Sequence, residues 1–191
     1  SGYIFYLKED VKKAEELFKK ALELDDANAL ALNNLGAVRL SEKSYTQAVN
    51  LVRKAIQINP KEPMFFKNLE TIYKQLGNPS LIITDYNFYL KEKEDLDLIR
   101  GYGMAVGRNM RQASFRLYNK GYLEKTILKW VEIEKIYKEI DHQSGLVSVY
   151  FSLGILYEEK GESQNAKNYF DLVLKLNPLH IQAKERLYNI R

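Results

Sequence analysis

The sequence predicts an all-α fold in which antiparallel helix pairs stack in chain order into a solenoid of about five repeats closed by a C-terminal capping helix. Two observations carry that expectation. Laid against itself at an offset of 34 residues, the chain brings Gly2 onto Gly36, Val11 onto Tyr45, Ala14 onto Ala48, Phe18 onto Val52 and Ala21 onto Ala55. Near the other end, Gly154, Ala166 and Pro178 are spaced as Gly36, Ala48 and Pro60 are, in steps of twelve residues.

Two antiparallel helices reach the short end of the roughly 8–10 Å range of interaxial distances only where small side chains meet, so Gly36 and Ala48 mark a helix crossing. Apolar residues recur around them at helical spacing: Leu32, Leu35 and Val38, then Leu51, Val52 and Ala55. Asn59-Pro60 and Asn177-Pro178 punctuate the pairs, because proline ends one helix and its fixed φ suits the approach to the next. On this ruler the chain reads as one domain, residues 1–191, in six parts. Residues 1–28 are a truncated repeat and residues 29–62 a full one. Residues 63–106 are a degenerate repeat, with Glu70 in place of a small residue and Ile82 and Tyr89 where alanines are expected, so that this pair should pack more loosely. Residues 107–146 form a lengthened degenerate repeat carrying Ala113, Ser114, a turn at Gly121 and Trp130. Residues 147–180 return to the pattern. Residues 181–191 cap the stack with Ile181, Leu187, Tyr188 and Ile190, as the open end of a solenoid requires. Helix-compatible sequence runs unbroken from Leu96 to Asn119, which predicts an elongated helix or a hinge.

The pattern of Leu35, Gly36, Ala48, Ala55 and Pro60, and of Tyr150, Leu153, Gly154, Tyr157, Gly161, Ala166, Phe170 and Pro178, resembles the tetratricopeptide repeat. The resemblance implies a right-handed superhelix whose first helices line a groove that binds a protein or peptide partner. Carried onto this chain, it places the groove at Asn33, Asn34, Lys67, Asn68 and Thr71, continued by Arg108, Arg111 and Gln112. Asparagine amides on successive helices can pair with an extended peptide backbone, and the cations can attract its acidic groups. In part this resembles the carboxylate clamp of chaperone-binding relatives.

Composition narrows the function further. The 191 residues are 46% hydrophobic and 28% charged, with Lys and Arg at 29 against Asp and Glu at 25. A net charge of +4 so thinly spread does not by itself argue for nucleic acid. The absence of Cys excludes disulfides, thiol catalysis and thiolate metal sites, and leaves cytoplasm and periplasm equally open. Abundant Lys, Ile, Asn and Tyr fit an AT-rich bacterial genome. The uncharged run from Gly145 to Tyr157 falls short of the roughly 20 apolar residues a membrane span needs. A chain opening on Ser1 and Gly2 is expected to be a piece of a longer protein, any signal or anchor lying upstream.

One charge asymmetry stands out: no acidic residue lies between Asp97 and Glu124, while Arg100, Arg108, Arg111, Arg116 and Lys120 alternate with Tyr102, Phe115, Tyr118 and Tyr122. Such a stretch suits an acidic protein surface. Single-stranded nucleic acid is the alternative, with the basic helix 100–120 tracking phosphates and its aromatics stacking bases. Gly101, Gly103 and Gly107 have neither the spacing nor the preceding strand of a phosphate loop and read as close helix packing. His142 follows Asp141 near a helix end, where a cation would complement the helix dipole, and His180 follows Pro178 by two residues. Neither has further ligands at helical spacing, so no metal or other cofactor is implied, and no nucleophile with its base marks an enzyme or a small-molecule substrate. Trp130 reads as a core filler. Tyr3, Ile4, Phe5 and Tyr6 form an apolar edge expected to pack on upstream sequence or a second subunit.

Overall fold

The structure, a computed structural model, describes residues 11–92 and 95–190. The edge expected at Tyr3, Ile4, Phe5 and Tyr6 lies outside these residues. The described residues form ten helices and no strand: α1 (Val11–Leu24), α2 (Ala29–Ser41), α3 (Tyr45–Ile58), α4 (Pro63–Gln75), α5 (Leu81–Glu92), α6 (Leu96–Asn119), α7 (Leu123–Glu139), α8 (Gln143–Glu159), α9 (Ser163–Leu176) and α10 (Ile181–Asn189). None is long and apolar enough to cross a membrane. The chain divides into two compact units between Ala105 and Val106.

In the first unit, α2 and α3 cross where the sequence predicts. A Cβ placed on Gly36 would lie 2.6 Å from Val52 Cγ2 and 3.3 Å from the Ala48 carbonyl oxygen, so only hydrogen fits there. Ala14, Phe18, Leu35 and Val38 form the core beside them. The backbones of α4 and α5 touch along less of their length than those of α2 and α3. Bulky side chains fill the difference. Ile82 and Tyr89 are both buried, and Tyr89 stacks on Tyr102 of α6 with ring centroids 4.9 Å apart. Asp85 sits among them, accepting from Arg53 and from the Tyr73 hydroxyl, each at 2.5 Å. A buried carboxylate is tolerated only when paired in this way.

Helix α6 runs unbroken for 24 residues through Gly101, Gly103 and Gly107 and so passes across the boundary expected at residue 106. Gly101 and Gly107 admit aromatic rings. A Cβ on Gly101 would come within 2.1 Å of the Phe66 ring in the first unit, and one on Gly107 within 2.3 Å of the Tyr137 ring in the second.

The second unit repeats the logic of the first. Gly154 of α8 admits the ring of Phe170 from α9, which would lie 2.5 Å from an added Cβ. Ala166, Phe170 and Val173 are fully buried beneath it, as is Ala183 of α10. The extra length of the region lies in its helices: α7 and α8 have 17 residues each, against 13 and 14 in α2 and α3.

Connections are short and locally satisfied. Between pairs, Asn59 Oδ1 accepts from Lys61 N at 3.3 Å and Asn177 Oδ1 from Leu179 N at 3.2 Å. Pro60 lies in that turn, and it is Pro63 that opens α4. Within pairs, the turn is closed by one residue of positive φ: Lys43 at 59°, Gly77 at 82°, Gly121 at 76° and Gly161 at 83°.

Candidate protein-binding surfaces

The groove residues expected from the sequence fall in separate units. In the first, Asn33 and Asn34 stand on α2, and Lys67, Asn68 and Thr71 on α4. Asn68 Nδ2 donates to Asn33 Oδ1 at 2.8 Å, and Asn33 Nδ2 donates to Asn34 Oδ1 at 3.3 Å. Asn33 is 1% exposed, whereas Asn34 and Asn68 are half-buried. The three amides therefore form a relay anchored on a buried member, which fixes the orientation of the outer two. Lys67 and Thr71 are exposed one turn apart, the Thr71 hydroxyl donating to the Lys67 carbonyl at 2.9 Å.

In the second unit, Arg108, Arg111 and Gln112 lie on α6. Arg111 is half-buried: its guanidinium lies 5.9 Å from the Trp130 ring centroid and donates to the Tyr137 hydroxyl at 3.4 Å. Both partners are neutral, so the charge is not cancelled by them. Its field is felt at His142. The sequence places this histidine near a helix end that would favour a cation, but it is the N-cap residue of α8. Its ring meets Tyr137 edge-on at 4.9 Å. Burial first, then Arg111 and Arg108, hold its imidazole below the ordinary value, favouring the neutral form. His180 likewise caps a helix, Nδ1 accepting from Ala183 N of α10 at 3.3 Å.

Alongside these residues the structure shows a slot that the sequence reading missed. Phe115 and Tyr118 of α6, Ser152, Ile155 and Leu156 of α8, and Thr126 and Trp130 of α7 enclose about 210 Å³. Trp130 is 4% exposed, as a core filler should be, yet it helps to line this space. The signal was present in part: Phe115 and Tyr118 continue at helical spacing the face begun by Arg108 and Arg111. Their partners on α8 are too distant in sequence for local periodicity to reveal.

The basic helix does not form the continuous stripe a nucleic-acid strand would track. At about 100° per residue, Arg100, Arg108, Arg111 and Arg116 spread over roughly 160° of the α6 circumference, and Lys120 lies in the turn beyond it. Tyr102, which would have to stack on a base, is fully buried.

Comparison with known proteins agrees with the helical-repeat fold. The family model described as tetratricopeptide repeat matches residues 1–28, 29–62 and 147–178. A protein named STIP1 homolog from Dictyostelium discoideum is 27% identical over 178 residues, covering 91% of this chain. The chain spans only 28% of the length of that relative. An uncharacterised protein, ycf37, from Pyropia yezoensis is 30% identical over 140 residues, covering 67% of this chain and 75% of that protein. Among solved structures, a TPR repeats protein from Bacteroides fragilis superposes with a TM-score of 0.52 at 15% identity, covering 99% of this chain and 94% of that one, a likeness of fold.

Proposed function

This chain belongs to the tetratricopeptide repeat family, and from that membership we propose that it is a scaffold that holds an extended segment of a partner protein rather than an enzyme that converts a substrate. Proteins of the family generally mediate protein–protein interactions. The observation that carries the reading here is the amide relay of the first unit. Asn68 uses an Nδ2 hydrogen and Asn34 its Oδ1 within the relay, each at its bond to Asn33. What remains is an acceptor on α4 and a donor on α2, held in place by a buried neighbour. That pair matches the N–H and C=O of a peptide backbone. Lys67 and Thr71 extend the same surface. In the second unit Arg108, Arg111 and Gln112 favour an acidic partner.

Affinity capture of the full-length protein from its native cells, with partners identified by mass spectrometry, supplies the ligand for the test. Asn34→Ala combined with Asn68→Ala should then weaken that partner by about fivefold or more, since two net hydrogen bonds at roughly 0.5–1.5 kcal/mol each are lost. Helicity by circular dichroism should not change. Equal affinity in the double variant would move the site elsewhere, and failure to capture any reproducible partner would remove the scaffold reading.

A further inference from the structure

We propose that the slot in the second unit seats one large apolar side chain, aromatic by preference, from within an extended partner segment, and that Arg111 and Arg108 hold a carboxylate side chain two residues away from it. The inference rests on the scaffold reading and gives the chemistry of what is held. Every hydroxyl of the lining is already engaged. Thr126 Oγ1 donates to the Tyr122 carbonyl and Ser152 Oγ to the Ser148 carbonyl, each at 2.9 Å. The Tyr118 hydroxyl donates to Glu159 Oε2, also at 2.9 Å. With the hydroxyl hydrogens committed elsewhere, an entering group meets mostly carbon and ring surface, and an apolar one gains more from leaving water than a polar one. The volume, about 210 Å³, is below the roughly 300–1,000 Å³ of small-molecule pockets and suits a single side chain. Phe115 and Tyr118 are 55% and 42% exposed, so the slot is accessible from solvent.

Charge gives the slot a direction. One turn before Phe115 on the same face of α6 stands Arg111, and one turn before that Arg108. Among the described residues Arg111 pairs with no carboxylate, and no acidic residue occurs between Asp97 and Glu124. On the side away from Arg111, Tyr118 holds the carboxylate of Glu159, which repels a partner carboxylate there. A helix rises about 1.5 Å per residue, so Arg111 lies about 6 Å from Phe115 along α6, the length of two residues of extended chain. The recognised element is thus an internal pair of side chains and needs no free C-terminus.

The test uses the whole chain and two doubly capped peptides, acetyl-Ser-Asp-Ala-Phe-Ala-Ser-amide and acetyl-Ser-Ala-Phe-Ala-Asp-Ser-amide, which present the two chain directions. Trp130, the only tryptophan, reports from the slot itself. At least one peptide should give a saturating fluorescence change, weakened tenfold or more when its Phe becomes Ala or its Asp becomes Lys. Ser152→Phe, which plugs the slot, should weaken it equally. Phe115→Ala serves instead should that variant lose its helical circular dichroism. Lys54→Ala, an exposed change in the first unit, should leave peptide binding unchanged. Absence of saturable binding by both peptides, or binding indifferent to the plug, would overturn the slot while leaving the scaffold reading to its own capture experiment. Loss of binding in the asparagine double variant alone would place the peptide in the first unit. Self-association abolished by Ser152→Phe would make a second copy the occupant and overturn the proposal equally.

Discussion

Gly101 and Gly107 are glycines because an aromatic ring occupies the volume a methyl group would need. The rings in question, Phe66 and Tyr137, are each 2% exposed and packed on other sides, so neither can swing away freely. Gly101→Ala and Gly107→Ala should each lower unfolding stability by about 1–3 kcal/mol, the usual cost of overpacking, measured by urea denaturation. Unchanged midpoints would mean that the rings shift without strain. The turns give the opposite sign. Lys43 holds φ at 59°, while the corresponding turns use Gly77, Gly121 and Gly161. A left-handed conformation costs an L-residue roughly 1–2 kcal/mol, and glycine gives back part of that through its freer unfolded chain. Lys43→Gly should therefore raise stability by up to about 1 kcal/mol. A lower denaturation midpoint would show that the lysine side chain contributes more than the backbone loses.

Between elements, the tie from α1 to α2 is electrostatic as well as apolar. Glu15 accepts from Arg39 of α2, and also from Lys19 at 2.7 Å, and chiefly the Arg39 hydrogen bond lowers its carboxyl to about 2. An unfolded glutamate titrates near 4.3. As acid is added, the unfolded chain takes up the proton first, so the stability from this tie is complete above about 4.3 and lost as pH falls toward 2. Glu15→Gln should flatten the acid side of the stability profile in that window. His142 works in the same direction at higher pH: its folded value lies below the ordinary one, so its contribution is present above about 6.5 and declines on acidification. His142→Phe keeps the ring against Tyr137 and should remove that slope. At this scale the sequence is most informative about what is local. The crossing of Gly36 with Ala48, the small residues of α8 and α9, and the span of α6 from Leu96 to Asn119 follow from spacing and from the absence of helix breakers. Asn34 and Asn68 share a repeat position and are readable as groove residues, but the burial of Asn33 that orders them arises only when α2 and α4 pack together. The slot is less legible still, because Tyr118 and Ile155 meet through helices that no local period connects. His142 was misplaced for a related reason: an Asp-His pair between helices does not reveal whether it ends one or caps the next.

For the whole molecule, stability should follow the order of the chain. Within each unit, the helices pack chiefly against those adjacent in sequence, and an array of that kind is stabilised by nearest-neighbour terms rather than by one central core. Helix α6 is continuous across the boundary between the units, with Tyr102 packed in the first and Gly107 in the second. A lesion in the second unit should thus lose its effect progressively along the helices toward α1. Gly154→Leu, which drives a side chain into the Phe170 ring, provides such a lesion. Hydrogen exchange on that variant should accelerate most in α8 and α9, less in α7, and least in α2 and α3. Gly36→Leu, forced against Val52, should give the reverse gradient. Uniform acceleration over all helices in either variant would show that the two units open as one cooperative body, and the nearest-neighbour account would then have to be abandoned. A sharp step at Ala105 would show that α6 opens at the unit boundary instead of transmitting the strain.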